Sequence, residues 1–87
     1  MAVTLADRKN FYATLMKKKY FSNYRDDLRK ALVGANKLKG DAFDELYNDA
    51  GVIGFVKNGI DGLLRPRYQV TALGKEQMRS FLIVYNM

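Results

Sequence analysis

Between Gly62 and Lys75 the chain reads GLLRPRYQVTALGK, and this stretch restricts the fold more than any other. Pro66 has no amide hydrogen, so it belongs at a tight turn or a strand edge, not in the middle of a central strand. Short extended pieces flank it, Leu63-Leu64 before and Tyr68 to Thr71 after. The second piece alternates and reads as a strand. Thr71 can then cap a helix whose apolar face is Leu73, Met78, Phe81, Leu82 and Tyr85, with Gly74 allowing a close turn at its entry. A strand, turn, strand and helix in this order need a core to pack on, and the preceding residues supply helices.

Thr4 followed by Asp7 is a capping-box start. The helix behind it carries Leu5, Tyr12, Leu15 and Met16 on one face, with Phe11 beside them, and should fray near Lys18 or Lys19. Lys17-Lys18-Lys19 suits the negative end of the helix dipole. Ser22-Asn23 signals a second helix, with Asn23 as N-cap, Asp26 in the first turn, and Tyr24, Leu28, Ala31, Leu32 and Ala35 as the apolar stripe. Gly40-Asp41 breaks the chain again. Asp41 can cap a third helix from Ala42 to Ala50 that buries Phe43, Leu46, Tyr47 and Ala50 and stops at Gly51.

Residues 52–61, VIGFVKNGID, leave two readings open. Asn58-Gly59 is a strong hairpin signal, and Val52, Ile53, Phe55 and Val56 favour strand. A short helix with Val56 and Ile60 on the core side is the other reading, at a penalty of roughly 1 kcal/mol for each glycine.

At 87 residues the chain is expected to form one domain, spanning 1–87. It has neither cysteine nor histidine, which removes disulfides, thiolate zinc sites and the commonest general base and nucleophile. Asp26-Asp27 and Asp44-Glu45 are sequence neighbours that diverge by about 100° on a helix, so they form no converging acid–base pair. No Walker-type loop and no acidic metal loop has the required spacing. An enzyme, a metal and a cofactor are therefore not expected. Neither a transmembrane run nor a signal peptide is visible, and a cytoplasmic location is expected. The net charge of +6 is uneven. Residues 1–40 hold ten Lys/Arg against three Asp (+7), residues 41–61 one Lys against five acids (−4), and residues 62–87 four Lys/Arg against one Glu (+3).

Together these elements give an α+β, mainly helical expectation: three N-terminal helices, a short β-hairpin and a C-terminal helix. In that order, the 62–75 stretch resembles the winged-helix family of DNA-binding domains. Gly62-Leu63-Leu64 stands where members have a hydrophobic GLI or GLL. Arg65-Pro66-Arg67 stands for the basic wing, and Tyr68-Gln69-Val70-Thr71-Ala72-Leu73-Gly74 for the Y-x-L-T-x-x-G ending, with Lys75 behind it. The resemblance covers 14 residues tightly and the rest in element order. It implies that the Leu pair buries under the helices and that the turn projects arginines towards a phosphate backbone.

The function expected on this basis is nucleic-acid binding by a small basic regulator or accessory factor of phage, plasmid or archaeal type, acting by occupancy on double-stranded DNA. Lys37, Lys39, Lys57, Asn58, Arg65, Arg67 and Lys75 are the candidate contacts. The same residues can equally form a mixed-charge solvated surface. Phe81, Leu82 and Tyr85 are the candidate dimer or partner surface. The alternative is a protein–protein interaction module, such as a phage-type inhibitor of a host complex, using the winged-helix shape without DNA. The acids of 41–61 favour it. A ribosome- or RNA-associated role is a third, more distant expectation.

Overall fold

The computed structural model describes residues 3–85. The chain runs α1 (Leu5–Leu15), β1 (Ser22–Tyr24), α2 (Arg25–Arg29), α3 (Gly40–Val52), β2 (Val56–Ile60), β3 (Pro66–Val70) and α4 (Ala72–Tyr85). A 3-10 turn, Lys18–Tyr20, leads into β1, and α2 continues through a π-helical turn, Lys30–Gly34.

The capping box forms as expected: the Asp7 amide donates to Thr4 Oγ1 at 3.0 Å and the Thr4 amide donates to Asp7 Oδ2 at 3.1 Å. The helix stops earlier than the lysines suggest, because Lys17 turns extended (ψ 138°) to send the chain into the sheet. Leu5, expected on the buried face, is half exposed, whereas Phe11 and Leu15 are fully buried.

Ser22 and Asn23 are not a helix start. They belong to β1, which pairs antiparallel with β3 in the register Ser22–Gln69, Asn23–Tyr68 and Tyr24–Arg67. Ladder bonds to a distant strand satisfy this backbone, and three residues are too few to show an alternation in sequence. Tyr24 takes the N-cap position of α2 without a side-chain capping bond.

Lys39, not Asp41, is the N-cap of α3, and Gly51 lies inside it. The chain turns at Gly54, whose φ of +84° suits a residue without Cβ. Neither reading of residues 52–61 holds whole: Val52 closes α3, Ile53 to Phe55 turn, and only Val56–Ile60 is strand, with no helix and no hairpin inside the segment. Asn58-Gly59 is not the hairpin turn but the middle of β2, paired with Tyr68 and Arg67. The connection lies at 61–65. There Leu63 and Leu64 are 75 % and 80 % exposed rather than buried under the helices, and Leu64 has φ +62°. Pro66 opens β3, opposite Ile60 and beyond the reach of β1, where a missing donor breaks no ladder.

The sheet order is β1-β3-β2, so the last strand in sequence is the central one. Its inward residues Tyr68 and Val70 join Val56 from β2 and Phe11, Leu15, Leu28, Leu32, Phe43, Leu46 and Met78 from the helices in one core. Thr71 caps α4 as expected. Its hydroxyl donates to the carbonyls of Gly54 (2.6 Å) or Phe55 (3.1 Å) and accepts the Gly74 amide (3.0 Å). Gly74 meets Phe55 so closely that an added Cβ would lie 2.9 Å from the Phe55 carbonyl carbon.

Candidate nucleic-acid interface

Strand alternation sorts the sheet into two faces. Val56, Tyr68 and Val70 point to the core. Lys57, Gly59, Arg67, Gln69, Ser22 and Tyr24 occupy the other face, with Lys57, Gln69 and Ser22 in one row and Gly59, Arg67 and Tyr24 in the next. A shallow depression of about 210 Å³ lies here, bordered by Ser22, Lys57, Gly59, Arg67 and Gln69. An added Cβ on Gly59 would meet nothing within 4 Å, so the space beside Arg67 is open.

Arg65 and Arg67 both reach the Tyr24 ring, with guanidinium carbons 4.3 and 4.6 Å from its centroid. Arg65 is held further. Its Nε donates to Asp61 Oδ2 at 3.0 Å and its Nη2 to the Tyr24 hydroxyl at 2.9 Å, while that hydroxyl donates to Asp61 Oδ2 at 2.8 Å. Asp61 Oδ1 accepts the amides of Leu63 and Arg65, both at 2.9 Å. One carboxylate therefore shapes the wing and ties it to β1. These donors, the Arg65 amide foremost and then the Tyr24 hydroxyl, hold the Asp61 carboxyl down at about 2, against a partial opposing effect of desolvation.

The other candidate contacts disperse. Asn58 stays exposed on the side of β2 next to α3, where its Oδ1 accepts the Tyr47 hydroxyl at 2.8 Å and fastens β2 to α3. Lys75 lies in the first turn of α4 with Nζ 4.4 Å above the Phe21 ring. Lys37 and Lys39 are exposed in the turn between α2 and α3, on either side of buried Leu38. Thus Lys57, Arg65 and Arg67 share one surface, Asn58 borders it, and Lys37, Lys39 and Lys75 lie elsewhere. Among the described residues, Lys57 and Arg67 form no ion pair. Tyr24 and Asp61 escaped the sequence reading. Arg65, at the end of the connection, and Arg67, on β3, meet at one aromatic ring, but that ring comes from a strand too short to recognise.

Residues 35–39 separate α2 from α3, so α3 occupies the second-helix position of a helix-turn-helix. Its exposed stripe is Asp41, Asp44, Asn48 and Val52, with Glu45 and Asp49 at its margin. Arg25 and Arg29 both bind Asp44 Oδ1, at 3.0 and 2.9 Å. On α4, Phe81 and Leu82 are partly buried against the core, Phe81 with its ring 5.0 Å from that of Tyr12. Tyr85 is 47 % exposed. No helix among the described residues is long and apolar enough to cross a membrane.

Helices α1 to α3, a three-stranded sheet that takes its first strand from between α1 and α2, and a wing between β2 and β3 make this fold a winged helix. A comparison with solved structures agrees. The chain superposes on MepR, a transcription regulator of the Staphylococcus aureus multidrug efflux pump MepA, with a TM-score of 0.68 at 15 % identity. The match covers 92 % of this chain and 56 % of that one, so the chain spans about half the length of the regulator it resembles. At that identity the likeness is one of fold. No protein-family model and no curated protein sequence matches the chain.

Proposed function

We propose that the chain is a binding protein, not an enzyme: a DNA-binding regulator or accessory factor of the cytoplasm that acts by occupying duplex DNA. Contact is made through the outer sheet face and wing, by Lys57 and Arg67 with Arg65 alongside. The observation that supports this reading is the gathering of these cations on one face of a winged-helix frame, two of them without a carboxylate partner among the described residues. Such contacts grip phosphate and set register; they carry no base sequence. Helix α3, the position from which bases are commonly read, offers carboxylates that phosphate repels, so the grip is sequence-tolerant.

The test is a titration of labelled duplex at about 0.05 and 0.2 M salt, where log affinity falls by roughly 0.9 per phosphate contact for each decade of salt. Lys57→Ala with Arg67→Ala should flatten that slope by about two contacts, and Asp41→Asn should leave it unchanged. Absence of binding at the lower salt would sink the reading. It would leave the second one, a protein-interaction module, which the exposed Leu63 and Leu64 of the wing favour.

A further inference from the structure

Two surfaces of this molecule carry opposite charge, and Asn58 of β2 borders the depressions on both. Helix α3 presents Asp41, Glu45 and Asp49, which form no ion pair among the described residues, because Arg25 and Arg29 are both directed at Asp44. Both arginines also lie over aromatic rings, Arg25 5.3 Å from the Tyr47 centroid and Arg29 5.6 Å from that of Phe43, which favours their placement at Asp44. Beside this helix a cleft of about 480 Å³ runs between Asp44, Asn48 and Val52 on one wall and Asn58 and Arg25 on the other. The charged residues of the cleft itself, Arg25 and Asp44, pair with each other, so the unpaired acids lie along the helix beside it. On the outer sheet face, Lys57 and Arg67 form no ion pair among the described residues, beside the open space over Gly59.

We infer that the α3 face receives the basic sheet face of a second copy of this chain, in a head-to-tail contact. The occupant follows from charge complementarity: the chain itself displays an unpaired anionic surface and an unpaired cationic one on different elements. In a head-to-tail contact each molecule keeps one surface of each kind free, so assembly continues to a ring or an open chain. It also places Lys57 and Arg67 in competition between α3 of a neighbour and DNA. Self-association and duplex binding then exclude one another at the same residues. This inference does not depend on the DNA reading, since the contact forms between protein molecules alone.

Sedimentation without DNA tests it. The average mass should rise with protein concentration at about 0.01 M salt, where the Debye length is near 30 Å, and fall back at about 1 M, where it is near 3 Å. Two variants separate the surfaces: Glu45→Lys with Asp49→Lys, and Lys57→Glu with Arg67→Glu. Each alone should lose the low-salt association. Mixed, they should associate again, because each keeps the surface that the other lost. Glu45→Gln with Asp49→Asn is the milder pair if the reversal unfolds α3, and circular dichroism checks the fold. The acid-face variants should bind duplex at least as tightly as the parent. Parent protein whose mass does not rise at low salt, variants that associate like the parent, or a mixture that stays dissociated would each overturn the inference. The duplex titration, run separately, reports on the DNA reading whichever way this result falls.

Discussion

Tyr68 sits at the centre of the sheet, 2 % exposed, with its ring 6.1 Å from that of Tyr47 and its hydroxyl unpartnered among the described residues. Burial, with Tyr47, Tyr20 and Asp27 around it, pushes the phenol pKa up, so the group stays neutral throughout the ordinary range. An unpartnered buried hydroxyl costs about 1–3 kcal/mol, while the ring supplies the packing. Tyr68→Phe is therefore expected to stabilise the fold by about 1 kcal/mol, read from denaturant midpoints; a clear loss would reveal a partner for the hydroxyl. Leu64 is the opposite case, exposed and bent to φ +62°. A left-handed conformation is strained for a branched side chain by about 1–2 kcal/mol, and Leu64 buries little in return. Leu64→Gly should hold or raise stability by up to about 1 kcal/mol, part of the relief being offset by the greater freedom of glycine when unfolded.

Among the elements, the wing and the entry of α4 have distinct supports. The wing is organised by the Asp61 carboxylate rather than by apolar burial. Its carboxyl titrates lower in the fold than in the unfolded chain. The stabilisation is thus complete above the usual aspartate value near 4 and disappears as pH falls through about 2. Wing amides followed by NMR should shift with a midpoint near 2, and Asp61→Asn should abolish that titration while leaving core resonances in place. The α4 entry depends on close approach. Gly74→Ala would drive a methyl into the Phe55 backbone and should cost about 2 kcal/mol, measurable as a lower unfolding midpoint. Thr71 and Gly74 were legible because capping is local chemistry. The strand Ser22–Tyr24 was not, because a three-residue strand is specified by its partner. Its Asn23 also mimics a cap while its amide group donates instead to the Lys19 carbonyl at 3.3 Å.

For the whole molecule, helix order, the strand–turn–strand–helix ending and the charge blocks could be read from the chain, and they sufficed for the winged-helix reading. What could not be read was which charges face which way. Strand parity decides that Lys57 points to the outer face and Asn58 towards Tyr47 of α3, and the parity of β2 depends on a register that a misleading Asn-Gly pair conceals. Likewise, Leu63 and Leu64 look like core in a linear sequence. Only the position of the connection at 61–65 shows that they project beyond it.

These two leucines have a consequence for how the chain would respond to selection. Their side chains lie largely outside the fold's own packing, and one of them strains it. A library of variants sorted for protease resistance alone should drift away from leucine at both positions within a few rounds. A library sorted for whatever the protein does should retain it there if the wing tip is used. The residues on which the two sorted populations disagree would trace the working surface directly, with no ligand known in advance.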